Sequence, residues 1–381
     1  MMGLKKIMLS ASILLFGLGG CLNKVKTNLI LESDRTENIN IQQDTLLDNY
    51  FSATFPENEP GGAVLVKVGE TVLLSKGYGL SDVATKDPVT PKTLFNLGSI
   101  SKTFVSNAIL MLQADEKLSV EDDLLKYFPE FQNKEIARAV KIKHLLTHTS
   151  GLPDIRFPRK DSVFYLTAKD WENWIPIMKA TRLNFEPGSK FEYSNPSFNA
   201  LALIIEKVSG DKWQNFISKK IFLPAGMKAS TITDGPHPES GVAHGYLLQG
   251  SDWREKDYGE EPTFAAAGNG GVWSSVEELE LYHEALTQNM LLNREVLEDV
   301  STIKTFSNWS EKQPPYIGWS WFIGKTRQGY KTVGHTGSQG GFRANYLNVP
   351  EKQWLIIILS STPRNLEAQT NRILDYLQTG L

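Results

Sequence analysis

The spacing of apolar positions changes several times along the chain, and each change marks an element. Residues 43–56 space them as a helix does. GGAVLVKVGETVLLSKGYG (61–79) holds two β-branched runs around Gly69-Glu70 and predicts a hairpin. SDVATKDPVTPKT (81–93) is rich in turn residues and predicts a connector. Phe104, Val105, Ala108, Ile109 and Leu110 then recur with a period near 3.6, which predicts a helix.

From 113 to about 260 the pattern breaks into short helical pieces: VEDDLLKYFP, IKHLLTHTSG, DWENWIPIMKA, PSFNALALIIEKVSG and KWQNFISKKIF. Mixed character returns near 265. GVWSSVEELELYHEALTQ predicts a helix capped by Ser274 or Ser275, with Glu277 and Glu278 in its first turn. IGWSWFIGKTRQGYKTVGHTG predicts strand, hairpin and strand, and RANYLNVPEKQWLIIILSS adds two more strands. RNLEAQTNRILDYLQ closes the chain as an amphipathic helix. The expected fold is of the α/β (α+β) class. An antiparallel sheet built from both chain ends is flanked by helices (43–112 and 262–381), with an inserted, mostly helical domain over 113–261.

The first residues read differently. MMGLKK is a short basic start, and IMLSASILLFGLGG is an apolar run ending in small residues, the form of a signal peptide over 1–20. Cys21, the single cysteine of the chain, follows at once. The run LGGC (18–21) resembles the bacterial lipobox, whose cysteine is acylated. That resemblance implies a lipid anchor on Cys21 and a place in the bacterial cell envelope, on the periplasmic or outer-surface side, while the polar composition that follows predicts a tether over 21–42. Each buried CH₂ of such a lipid contributes about 0.8 kcal/mol to membrane binding. With no second cysteine to pair, stability rests on a core rather than on disulfides. LIIILS (355–360) is strand length, far short of a membrane span of about 20 residues.

Composition adds exclusions. The chain has 381 residues, 41% hydrophobic and 22% charged, with a formal charge of -3. That is enough apolar material for a large core, and nothing in the balance suggests a nucleic-acid partner.

The chemistry gathers around LFNLGSISKTFV (94–105). Ser99 and Lys102 stand three apart at a helix start, so both side chains share one face. The positive end of the helix favours an attacking oxyanion, and burial of a lysine there disfavours its charged form. Alternatively, Ser99 or Ser101 is an N-cap and Lys102 is solvated. Spacing alone does not decide, because Ser209 and Lys212 repeat it in SGDKWQ. Two further segments bear on the choice. KFEYSNPSFNALALII places Tyr193 and Asn195 just before a helix, a phenol that can act as a base and an amide that can hold a substrate amide. TVGHTGSQGGFRANY reads as an edge strand able to pair with an extended substrate along His335, Thr336, Gly337 and Ser338. Gly337 leaves room for close approach, and the N–H groups of Ser99 and Ser338 are candidates for an oxyanion site.

In that order SISK (99–102), YSN (193–195) and HTG (335–337) resemble the three motifs of the serine β-lactamase and penicillin-recognising peptidase superfamily, nearest its class C-like branch. HLLTHTSGLP (144–153), LPAGMKAST (223–231) and AGNGGVWSS (267–275) resemble further segments of that family, and the likeness runs over about 50–361. The resemblance implies that Ser99 is acylated and that Lys102 helps deprotonate it. It implies that Tyr193 relays the proton and that Asn195 and His335–Ser338 bind substrate. The reaction is then acyl transfer through an ester, with no cofactor and no metal. A histidine at 335, where many β-lactamases carry lysine, weakens the β-lactamase reading and leaves a peptidase open. Arg343 is a candidate source of positive charge instead. The expected function is a serine hydrolase of an amide or ester, with a D-amino-acid peptide of the cell wall as the leading substrate. Carboxylesterase, β-lactamase and an inactive peptidoglycan- or β-lactam-binding lipoprotein are the alternatives. His144 and His148 lie four apart, but HLLTH lacks the Glu and third ligand of a zinc motif, so both are expected to order a loop near Gly151. Trp171 and Trp174 are candidates for core packing or for the rim of a substrate mouth.

Overall fold

The computed structural model describes residues 44–154, 168–233, 237–238, 240–255, 267–312, 314 and 316–379. The signal segment, the tether and Cys21 lie outside the described residues. The chain enters through helix α1 (Thr45–Thr54), whose cap Asp44 accepts hydrogen bonds from the N–H groups of Leu46 and Leu47 at 3.0 and 3.1 Å. The hairpin follows as β1 (Gly62–Val68) and β2 (Thr71–Tyr78). Helix α2 (Ser101–Ala114) carries the Ser-x-x-Lys lysine, and α3 (Asp170–Ile177), α4 (Asn195–Ser209) and α5 (Val276–Thr287) come next. The chain then lays down β3 (Tyr316–Ile317), β4 (Phe322–Lys325), β5 (Lys331–Gln339), β6 (Phe342–Val349) and β7 (Trp354–Ser360), and ends in α6 (Leu366–Thr379).

These strands form one antiparallel sheet of order β2-β1-β7-β6-β5-β4-β3. The two chain ends meet at its centre, where β1 pairs with β7 from Gly62 opposite Ser360 to Val68 opposite Trp354. Both faces are covered. Val64, Val66, Ile356 and Ile358 face α1 and α6, against Leu47, Phe51, Ile373 and Leu374. Ala63, Leu65, Leu355, Ile357 and Leu359 face the larger core that holds α2, α4 and α5. This explains why LIIILS shows no alternation: a strand buried on both faces is apolar at every position.

Helix α2 is more deeply set than its stripe predicts. Every residue from 101 to 110 is buried, the polar ones included. Those polar groups find partners. Ser101 Oγ accepts from the Val272 N–H at 3.0 Å, and Thr103 Oγ1 donates to the Ile100 carbonyl at 2.9 Å. Ser106 Oγ donates to the Trp319 carbonyl at 3.0 Å, and Asn107 Nδ2 donates to the Tyr282 hydroxyl at 2.6 Å. Phe104 stacks on Tyr282 with ring centroids 4.2 Å apart. A central helix buried all round loses the polar face that amphipathic reasoning assumes.

Residues 113–261 are mostly helical among those described, but they also hold a hairpin of Tyr246–Gln249 with Asp252–Glu255. One continuous apolar core spans this region and the sheet. The connector after the first hairpin carries a two-stranded pair, Leu80–Asp82 with Asp87–Pro88. Ser275 is the α5 cap, accepting from the Glu278 N–H at 3.2 Å. Glu278 itself turns away to accept from the N–H groups of Ala229 and Ser230. Trp174 is fully buried against Phe128 and Phe131, and Trp171 stands edge-on to Phe128 at 6.3 Å. Packing is the role the structure gives both.

Candidate active site

The turn that presents Ser99 is built by its neighbours. Asn96 Oδ1 accepts from the Gly98 N–H at 2.9 Å, and Gly98 takes φ +49, a left-handed conformation suited to glycine. Gly98–Ile100 then form a single 3₁₀ turn that runs into α2. Ser99 therefore sits one turn ahead of the α-helix, and neither Ser99 nor Ser101 is its cap. A Cβ on Gly98 would stand 2.7 Å from the Ser338 nitrogen, and one on Gly337 would stand 1.9 Å from the Leu97 carbonyl oxygen. The two glycines let the turn lie directly on β5. There β5 has an open side, since β4 pairs with it only from Lys331 to Gly334, while β6 follows it to Gln339.

Lys102 is fully buried and not solvated. Its Nζ donates to Ser99 Oγ at 3.0 Å and to the Asn269 carbonyl at 2.7 Å, and it lies 5.2 Å from the centroid of the Tyr193 ring. The Tyr193 hydroxyl is hydrogen-bonded to Ser99. The residue as a whole is 39% exposed. Desolvation pushes the phenol up to about 12, against the opposing bond from Ser99. Tyr193 is thus a neutral phenol at physiological pH, able to pass a proton on and not standing ready as a phenolate. His148 stacks on Tyr193 at 4.3 Å and accepts the Ser194 N–H on Nδ1 at 3.0 Å, which fixes the Tyr-Ser-Asn turn. Ser194 caps α4 by accepting from the Ser197 N–H, and Asn195 is half-buried in the first turn.

His335 is buried on β5. Burial first, and the nearby Lys102 charge second, push it down to about 3, so its imidazole is uncharged near neutrality. A carbonyl only accepts, so the 2.6 Å contact with the Thr336 oxygen puts the proton on Nδ1. An unperturbed histidine, with a pKa of about 6.5, is by contrast partly charged near neutrality.

A cleft of about 460 Å³ opens beside Ser99 and Tyr193. Its walls include Phe322, the 335–338 backbone, Arg343 and Ala344, and residues 364–367 at the start of α6. Asn195 is not among its lining residues, nor are Trp171 and Trp174. Arg343 Nη1 donates to the Phe342 carbonyl at 2.7 Å, which turns the guanidinium along the cleft wall. Arg364 lies over the Phe55 ring at 5.1 Å, with Glu59 3.9 Å away. Sequence reasoning missed Arg364, Asn269 and the stacking of His148. Asn269 acts through its backbone, which leaves no side-chain signal, and Arg364 reaches the cleft only because α6 folds over the sheet. His144 accepts the Lys141 N–H on Nδ1 at 3.1 Å, while His148 lies beside Tyr193. No group of three potential metal ligands occurs among the described residues.

A serine, a buried lysine and a tyrosine converge on one oxygen beside an open strand edge, in a sheet covered by helices. This is the arrangement of a serine hydrolase working through an acyl-enzyme. The beta-lactamase family model matches residues 51–379, and the chain belongs to that family. It is 27% identical over 334 residues to penicillin-binding protein 4* of Bacillus subtilis, covering 84% of this chain and 72% of the relative. It is 32% identical over 194 residues to the Flp protein of Staphylococcus aureus, where the match spans 50% of this chain and 38% of the relative. Among solved structures, the octameric penicillin-binding protein homologue of Pyrococcus abyssi superposes with a TM-score of 0.73 at 26% identity, over 83% of this chain and 73% of that one.

Proposed function

We propose that this chain hydrolyses an amide bond of a D-amino-acid peptide of the cell wall, with Ser99 as the acylated nucleophile. The observation that carries the reading is the convergence of Lys102 Nζ, at 3.0 Å, and the Tyr193 hydroxyl on Ser99 Oγ. Lys102 acts in its neutral amine form, whose lone pair takes the Ser99 proton as the oxygen attacks the carbonyl carbon. Tyr193 carries the proton to the leaving amine and later helps a water attack the ester. The backbone N–H groups of Ser99 and Ser338 hold the oxyanion, favoured by the close seating of the Gly98 turn on Ser338. The substrate lies along the open edge from His335 through Thr336 and Gly337 to Ser338, with Asn195 on its amide. Arg343 and Arg364 provide the positive charge for an anionic substrate end, a role the uncharged His335 does not fill.

Within the serine β-lactamase and penicillin-recognising peptidase superfamily, the class C-like branch is the nearest resemblance of the motif segments. LGGC favours a lipid on Cys21 that holds the enzyme in the cell envelope, on the periplasmic or outer-surface side. Incubation with a fluorophosphonate or a labelled penicillin, followed by mass spectrometry, is expected to give an adduct on Ser99 that Ser99→Ala abolishes. No adduct from any acylating probe overturns the reading in favour of a binding protein. D-Ala-D-Ala peptides are expected to be cleaved faster than p-nitrophenyl esters or nitrocefin, and faster nitrocefin turnover makes the protein a β-lactamase. Labelled palmitate in the wild type and none in Cys21→Ala is the expected result for the anchor.

A further inference from the structure

Lys102 donates a hydrogen bond to Ser99 and another to a backbone carbonyl 167 positions away, that of Asn269. The position of that carbonyl helps set the direction in which Nζ points. The segment that carries it has little apolar anchorage of its own, because its sequence is Gly-Asn-Gly-Gly (268–271). It is held by hydrogen bonds instead. The Gly268 N–H donates to Asp170 Oδ1 at 2.9 Å. Asn199 Nδ2 donates to the same Asp170 oxygen at 2.8 Å and to Asn269 Oδ1 at 3.0 Å. Gly268 lies so close to α4 that a Cβ would stand 2.7 Å from the Ala202 methyl and from the Phe198 carbonyl oxygen. Asp170 is 6% exposed and Asn199 is fully buried. A carboxylate in such a place is costly unless its bonds do something there.

We propose that Asp170 is a positioning residue for the acylation step, acting through Asn199 and the 268–271 segment to hold the Asn269 carbonyl against Lys102. The inference rests on Lys102 serving Ser99 as described above. Asp170 fastens one end of the segment and Asn199 its middle, so the carbonyl between them cannot swing away from Nζ. The groups facing Asp170 are the Glu206 carboxylate and Asn199 on α4, the Trp213 indole and the Gly268 N–H. Those facing Lys102 among the described residues include Tyr193, His148 and His335. Burial raises Asp170 to about 7, with Glu206 adding to the shift. The charge on the clamp therefore changes within the physiological range, and the acylation rate inherits that dependence.

The test measures Ser99 acylation by a fluorophosphonate against pH for the whole chain and for Asp170→Asn, Asp170→Ala, Asn199→Ala and the double variant Asp170→Asn/Asn199→Ala. Rates are referred to the folded fraction by circular dichroism. Asp170→Ala is expected to slow acylation roughly tenfold or more, since small misplacements of catalytic groups cost that much. Asp170→Asn is expected to recover part of the rate while losing the pH dependence near 7. The double variant is expected to be no slower than the worse single one, as for residues acting in one chain. A profile for Asp170→Asn that overlays the wild type, or additive effects in the double variant, overturns the role of Asp170. Failure of the wild type itself to acylate at Ser99 overturns the functional reading, and this inference falls with it.

Discussion

Gly337 and Leu97 touch through their backbones: a methyl group on Gly337 would stand 1.9 Å from the Leu97 carbonyl oxygen. The contact seats the Ser99 turn on the open edge of β5, with the Ser99 nitrogen 3.3 Å from the same imagined methyl. Gly337→Ala therefore has to push the turn off the strand. Overpacking of this kind costs about 1–3 kcal/mol. Displacement of an oxyanion donor costs about 10²–10³ in rate. We expect both, read as a lower urea midpoint and a slower fluorophosphonate reaction at Ser99. A variant that acylates at the wild-type rate contradicts the close seating.

Lys102 is buried, with no solvent to replace its partners, so its removal separates catalysis from folding. Lys102→Met keeps the side chain out to the Cε position and removes the amino group. Loss of a buried charge favours the fold, while the Asn269 carbonyl left without its donor disfavours it. The urea midpoint is expected to move little. Acylation is expected to fall by about 10²–10⁴, the range of a general base. Retained acylation in this variant assigns the base elsewhere.

Four histidines are held uncharged inside the fold. Burial pushes His144 and His283 down to about 4, with Lys143 and Lys67 respectively adding to the effect. Burial and Lys102 push His335 to about 3 and hold His148 well below its ordinary value. The unfolded chain takes up these protons first, near pH 6.5. The stability they contribute is complete above that pH and is lost as pH falls through their folded values. Asp170, raised to about 7, has the opposite sign: its contribution is present at low pH and is lost as pH rises through 7. Four groups outweigh one, so the urea midpoint is expected to fall from pH 7.5 to pH 5. His283→Gln should flatten that slope by about one proton. A midpoint that rises on acidification contradicts the buried neutral state.

Phe104 lies two residues beyond Lys102, stacked on Tyr282 and edge-on to Phe222 at 5.7 Å. Phe104→Ala opens a cavity in the middle of the core and is expected to cost about 3–5 kcal/mol. Chemical denaturation measures it. A loss below 1 kcal/mol shows that α2 is packed more loosely than its complete burial indicates.

Much of this molecule is legible in one dimension because it depends on local rules. The hairpin at Gly69-Glu70, the Ser275 cap, the apolar run of β7 and the closing amphipathic helix follow from periods and turn residues. The order of SISK, YSN and HTG is likewise a property of the string, and it pointed to Ser99 where Ser-x-x-Lys alone, repeated at Ser209, left the choice open. The tertiary structure decided what depends on who lies beside whom. Ser101, Ser106 and Asn107 read as polar helix positions but are buried, because the sheet, α4 and α5 close around α2 on every side. His335 reads as a titrating residue and is a neutral one, because a pKa follows desolvation and neighbouring charge rather than residue type. Lys102 could be read as a base, but its second partner is a backbone carbonyl at Asn269, and every residue has one of those. Only the folding of α3 and α4 against the 268–271 segment selects that carbonyl from the rest.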